Sequence, residues 1–302
     1  MLAETLLNWF SHAGRDLPWR HTRDPYRILV SEIMLQQTQV ERVIPKYHAF
    51  LTQFPDMASL AAAPTSAVIT AWQGLGYNRR ALYLQKTVQT VLATYAGVFP
   101  TDVGLLRALP GLGPYTAGAI ACFAYEQDVA FMDVNIRRVA VRLWSDPHAT
   151  VPSDTTLLTH ILQHIPNGRG WDFNQAIMEL GATICTAKTP HCPRCPLRAA
   201  CADYAARRDA DELLQPLPVR TLKKVAEKPA PRFVGSNRYY RGRIIDALRT
   251  VPANQGMDTN ALHAAVEAYG EPIAEQTFQT IITKLAADGL IVRHDDTIRL
   301  PD

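Results

Sequence analysis

The chain has 302 residues, 47% hydrophobic and 20% charged, the balance of a folded globular protein with room for two or three domains rather than of a disordered or fibrous chain. No apolar run reaches the ~18–20 residues that a membrane span needs, and the start, with Glu4 and no cationic lead-in, is not that of a signal peptide, so a cytoplasmic location is expected. The formal net charge of +3 is too small to name a partner by itself.

The first two hundred residues carry apolar side chains three and four apart, which predicts helices separated by Pro- and Gly-marked turns. Leu2, Leu6, Leu7 and Phe10 define a first amphipathic helix. The stretch SEIMLQQTQV predicts a second, with Glu32 set among Ile28, Leu29, Val30, Ile33, Met34 and Leu35. A lone glutamate is by default a surface group, but a carboxyl in apolar surroundings has a raised pKa and can act as an acid. GLGYNRR, residues 74–80, is a glycine-rich turn. LPGLGPYTAGAI, residues 109–120, places Gly111 and Gly113 about a tight turn whose following helix start exposes backbone N–H groups suited to a phosphate. Taken alone, such a G-x-G is a plain helix–helix turn. Asp133 precedes the helical pattern VNIRRVAVRL and predicts an N-cap.

Four of the five cysteines, Cys185, Cys192, Cys195 and Cys201, lie within seventeen residues at spacing C-x6-C-x2-C-x5-C. Four thiolates suit a cubane iron–sulfur cluster. Zinc usually takes two C-x2-C knuckles, and one is present; disulfides do not suit a chain without a secretion signal. Cys122, in AGAIACFAY, is expected in the core. The histidines, His21, His48 and His263 among them, show no metal-ligand spacing and are expected at the surface or in packing.

A Pro-containing stretch, residues 206–235, predicts a linker. Basic residues outnumber acidic ones from Arg207 to Arg243, a run that reads equally as a solvated linker or a DNA contact. Beyond it, RYYRGRIIDALRTV, DTNALHAAVEAYG and PIAEQTFQTIITKLAADGL predict three helices, the second capped at Asp258 or Thr259 and the third stopped by Gly289. LIVRHDDTIRLP predicts a β-hairpin about Asp295 and Asp296. Three helices and a hairpin form the pattern of a winged-helix-like domain, residues 236–302.

The cysteine spacing, the hairpin string and LVSEIMLQQTQV together resemble the helix-hairpin-helix DNA glycosylases. The likeness is to endonuclease III and, more closely over residues 4–205, to bacterial adenine DNA glycosylases. The resemblance implies a mainly α, two-lobed helical core over residues 1–205. One lobe is a six-helix barrel at about 22–133; the other, bearing a [4Fe-4S] cluster, takes the N-terminal helix and about 134–205. It implies catalytic roles for Glu32 and Asp133, supported by Tyr115 and Asn135. It implies DNA or base contacts at Trp19, Arg20, Gln36, Gln37, Thr38, Tyr77, Gly111, Gly113 and Gln175, with Tyr77 as a wedge in the base stack.

Bifunctional relatives carry lysine where this chain has Tyr115, and tyrosine cannot form their sugar imine; a monofunctional enzyme is expected. The expected substrate is adenine opposite 8-oxoguanine or guanine in duplex DNA, bound by a monomer at the nucleoid. A thymine or uracil mismatch glycosylase and an iron–sulfur DNA-binding regulator are the alternatives. The chain departs from the adenine pattern at Val134, usually glycine, at Asn78, usually a second tyrosine, and in its winged-helix-like end, where a nucleotide-hydrolase-like domain is usual.

Overall fold

The computed structural model describes residues 2–146, 149–209, 233–252, 255–268 and 270–302. Helices dominate, in the order α1 (Leu2–Ala13), α2 (Pro25–Leu35), α3 (Val40–Gln53), α4 (Met57–Ala62), α5 (Thr65–Ala71), α6 (Arg79–Thr94), α7 (Val103–Ala108), α8 (Pro114–Tyr125), α9 (Val134–Trp144), α10 (Asp154–His164), α11 (Gly170–Thr183) and α12 (Ala202–Asp209). Then follow α13 (Asn237–Leu248), β1 (Met257–Asp258), α14 (Thr259–Ala268), α15 (Glu275–Ala287), β2 (Val292–His294) and β3 (Thr297–Arg299). Two compact units result: residues 1–28, 101–107 and 112–226, and residues 29–100, 108–111 and 227–302.

In the first unit α9 and α11 are the central pair, with α1, α8, α10 and α12 packed on one or the other. Their apolar faces explain why: Ile136, Val139, Ala140 and Leu143 of α9 and Phe173, Ala176, Ile177 and Leu180 of α11 are buried. Each of the larger of these side chains contributes about 1.5–3 kcal/mol on burial. The crossing is close because Gly181 has no side chain. A Cβ there would stand 2.8 Å from Cβ of Asn135. Cys122 is fully buried on α8, where Asn174 donates to its sulfur at 3.4 Å and burial pushes the thiol up to about 12.

In the second unit α6 is the spine, packed on α4 and α5, with Ala81, Leu84, Val88 and Val91 buried. The C-terminal residues add α13, α14 and α15 and a three-stranded antiparallel sheet of order β1-β3-β2. His294 pairs with Thr297 across the turn at Asp295 and Asp296, as the hairpin pattern predicts. Asp258 caps α14, its Oδ1 accepting from the backbone N–H of Asn260 and Ala261, and Gly289 ends α15 at φ +73°. The two-residue strand β1 is too short to show in the sequence. The core of this C-terminal part is built mostly from its own residues but extends onto α5 and α6. Ile69 of α5 and Leu82 of α6 belong to the same apolar cluster as Tyr240, Ile244, Leu248, Phe278 and Leu285.

The helix α12 continues through Asp209, past the predicted linker start at residue 206. Most of that linker, including Arg220, Lys223, Lys224, Lys228 and Arg232 of the basic run, lies outside the described residues.

Candidate active site and cysteine pocket

Two loops of the second unit carry predicted DNA-contact residues. Gln36, Gln37 and Thr38 follow α2, and Tyr77 sits in the turn before α6. Gln37 and Tyr77 both adopt left-handed backbone, at φ +57° and +48°, a conformation that side chains other than glycine rarely take without support. The support is Arg80, which the sequence reading did not single out. Its Nη1 donates to the carbonyl oxygens of Ile33, Met34 and Gln36, the first two at 2.9 and 3.0 Å. Its Nη2 donates to Thr38 Oγ1 at 3.1 Å and to the carbonyls of Leu75 and Gly76 at 3.0 and 3.1 Å. One buried guanidinium thus ties both loops together. Burial lowers its pKa to about 10, so it stays charged at neutral pH. Tyr77 itself is 44% exposed.

Glu32 lies on α2 and is buried, with Leu29, Val30, Ile33 and Met34 buried around it in sequence. The apolar setting predicted for it is therefore present.

Asp133 is the N-cap of α9 and uses both carboxylate oxygens. Oδ1 accepts from the backbone N–H of Asn135 at 2.9 Å and of Ile136 at 2.7 Å. Oδ2 accepts from the Asn135 side-chain amide at 2.8 Å. These three donors fix the orientation of the carboxylate at the start of the helix. Asn135 is fixed in turn: its Oδ1 accepts from Arg138 Nη2 at 2.9 Å. Arg138 also donates to the carbonyls of Gly181 and Cys185, at 2.6 and 2.7 Å. The sequence reading gave Asn135 this neighbour's role but missed Arg138, one helical turn on. Tyr115 is half-buried on α8, its ring edge-on to Phe131 at 5.4 Å and its hydroxyl directed at Met178 Sδ, 4.0 Å away.

The residues predicted near a base lie in a second network of the first unit. Trp19 and Arg20 form a short 3-10 turn, Pro18–Arg20. Arg20 Nε donates to Gln175 Oε1 at 2.8 Å, and its Nη2 to Glu179 Oε2 at 2.8 Å. Arg15 Nε donates to Glu179 Oε1 at 2.7 Å. A guanidinium only donates, so Gln175 must turn its oxygen to Arg20 and keep its amide N–H groups for another partner. Burial would raise Glu179, but the two arginines outweigh it and hold the carboxyl below its ordinary range. Glu179 lies more than 150 residues from both arginines in sequence, so nothing local marks it.

Gly111 is at φ +77°, where a Cβ would come within 2.6 Å of Tyr83 Cβ; only glycine fits. Gly113 is the N-cap of α8, with Pro114 in the first position.

Cys185, Cys192, Cys195 and Cys201 line one pocket, together with Arg142, Ile184 and Arg198. Among the described residues no three His, Cys, Asp or Glu side chains converge as the ligands of a single ion do. Arg142 Nη1 donates to Cys185 Sγ at 3.3 Å and to the Thr186 carbonyl at 2.7 Å. Burial pushes the thiols up, Cys195 to about 11 and Cys201 to about 12. Such thiols lose their protons when a cationic group enters among them, so the donor set suits a metal cluster.

A profile of the HhH-GPD superfamily of base excision DNA repair proteins matches residues 30–161. An adenine DNA glycosylase of Mycolicibacterium smegmatis is 40% identical over 246 residues, 81% of this chain and 79% of that protein. The adenine DNA glycosylase of Homo sapiens is 41% identical over 65% of this chain and 38% of its own length. Among solved structures, a thermostable thymine-DNA glycosylase matches with TM-score 0.64 and 30% identity, over 68% of this chain and 95% of its own. The chain belongs to the helix-hairpin-helix superfamily of base excision DNA repair proteins, and within it to the adenine DNA glycosylases. It is an enzyme of the DNA N-glycosylase class.

Proposed function

We propose that the protein hydrolyses the N-glycosidic bond of adenine mispaired with 8-oxoguanine or guanine in duplex DNA. The carrying observation is Asp133. A carboxylate fixed by three donors at a helix start, behind a helix-hairpin-helix turn, is preorganised to stabilise a developing positive charge. The target nucleotide leaves the stack, a step that costs a few kcal/mol and is cheapest at a mismatch. Tyr77 and Gln36 occupy the gap. Glu32 protonates the base at N7 and the bond to C1′ breaks. Asp133, held by Asn135, stabilises the sugar cation until water adds, leaving an abasic site. Gln175, its oxygen committed to Arg20, offers N–H donors to the base.

With tyrosine at position 115 there is no amine to form an imine, so the sugar–phosphate strand stays intact. Cys185, Cys192, Cys195 and Cys201 would hold a [4Fe-4S] cluster. When bound, the cluster would supply a cross-link that fixes the loop, and with four thiolates it would carry net negative charge for Arg142 and Arg198 of the same pocket to balance. The enzyme acts as a monomer at the nucleoid.

Glu32→Gln tests the assignment: excision falls by at least about a thousandfold while duplex affinity changes little. Full activity in that variant sinks the role of Glu32. The 30% identity to a thymine-DNA glycosylase favours one second reading, excision of thymine or uracil opposite guanine. Duplexes with A opposite 8-oxoguanine, A:G, G:T and G:U separate the two. Strand breakage without alkali would refute the monofunctional reading.

A further inference from the structure

The turn that carries Tyr77 is gripped at three successive residues by the C-terminal part of the same unit. Arg238, in the first turn of α13, donates from Nη1 to Tyr77 Oη at 2.9 Å, and its guanidinium carbon lies 5.5 Å from the Tyr77 ring centre. Arg249 donates from Nη2 to Asn78 Oδ1 at 3.4 Å and to the Ile69 carbonyl at 2.7 Å. Arg79 pairs with Asp288 at 3.3 Å, and Arg241 holds the same carboxylate at 2.5 Å. Arg238 also lies 4.8 Å from the ring centre of Phe233, which is 51% exposed. Arg80 stands 5.6 Å from the Tyr77 ring. The aromatic ring is therefore held by two guanidiniums, one from α6 and one from α13.

An exposed tyrosine on left-handed backbone has several alternative rotamers open to it, and each lowers the population ready to enter a base stack. The grip on residues 77–79 removes that freedom. It also accounts for Asn78, the departure from the usual tyrosine pair, since Asn78 is where Arg249 reaches the turn. We propose that the winged-helix-like C-terminal part positions the wedge: Arg238 is a positioning residue that presets Tyr77 for insertion into duplex DNA. This rests on the reading of Tyr77 as the wedge.

The test is a double-substitution cycle in the full-length protein, with Tyr77→Phe, Arg238→Ala and both together. Duplexes carry A opposite 8-oxoguanine, with 2-aminopurine beside the target to report unstacking by fluorescence. Arg238→Ala and Tyr77→Phe should each lower the fluorescence rise and the single-turnover excision rate, by on the order of tenfold and several-fold respectively. The double variant should be no worse than Arg238→Ala. Arg238→Lys, which can still donate to the hydroxyl, should recover part of the loss, and thermal midpoints should stay close to the parent. Additive losses, or an Arg238→Ala protein that unstacks DNA as the parent does, overturn the proposal. Tyr77→Ala separates the two layers. If it abolishes unstacking while Arg238→Ala has no effect, the positioning role alone falls. If Tyr77→Ala unstacks normally, the wedge reading falls and the positioning role with it.

Discussion

Arg20 and Arg80 are both buried arginines beside predicted DNA-contact residues, and they are held in opposite ways. Arg20 faces a carboxylate: Glu179, fully buried, takes one of its nitrogens and Arg15 as well. The partners of Arg80 are neutral, five backbone carbonyls and the Thr38 hydroxyl. The first arrangement fixes a side chain, and through it Gln175, with its charge compensated. The second fixes backbone, turning two loops into one body and leaving a net positive charge beneath them. A guanidinium meets carbonyls in several directions at once because its donors form a planar fork. On the proposed reading of these loops as DNA contacts, a cation at their base suits a polyanionic partner better than an ion pair does.

Removal of Arg80 has the largest expected effect. Arg80→Ala leaves several carbonyls unsatisfied and frees two strained turns, and should cost about 3–5 kcal/mol in urea unfolding. Arg80→Lys keeps the charge but not the fork; if charge alone mattered it would restore stability, and the geometry predicts that it does not.

Glu179→Gln comes next. It strips Arg20 of its counter-charge without giving it the carbonyl cage of Arg80, and should cost about 2–3 kcal/mol at pH 7. Because the folded carboxyl is held low, its stabilisation is present above the unfolded value of about 4.3 and is lost as pH falls through the folded value. The parent and Glu179→Gln unfolding curves should therefore converge in acid. Curves that stay parallel from pH 7 to pH 3 contradict the linkage.

Gly181→Ala examines a corner set by packing rather than charge. The new methyl meets Asn135, so it should cost about 1–2 kcal/mol and slow excision more than it weakens DNA binding, because Asn135 orients Asp133. Asn78→Ala should be the mildest, about 0.5 kcal/mol, since Arg249 keeps its bond to the Ile69 carbonyl. A loss above 2 kcal/mol there would mean that the turn depends on Asn78 far more than a 3.4 Å contact allows.

What could be read from the sequence was whatever is local. Asp133 before VNIRRVAVRL announces a cap, Gly111 between apolar residues announces a tight turn, and the cysteine spacing announces a pocket. Hidden were the partners brought together by the fold. Arg80 reads as one more cation on a helix, yet its six partners lie up to 47 residues away. Glu179 reads as a polar interruption of an apolar helix, and Arg238 as part of a basic stretch. Periodicity shows which face of a helix is buried; it does not show which charge on that face is met by another segment. Strand β1 escaped for a different reason: two residues carry no alternation.

The shared apolar cluster of the C-terminal part also bears on how such a molecule can be taken apart. Ile69 and Leu82 are covered by α13–α15 and their sheet. Shortening the chain before α13 would uncover Ile69 and Leu82 and strip the turn at residues 77–79 of its C-terminal partners. Replacing the C-terminal part with another domain would accordingly require new cover for Ile69 of α5 and Leu82 of α6. The tail is less an attachment than a support for the turn at residues 77–79.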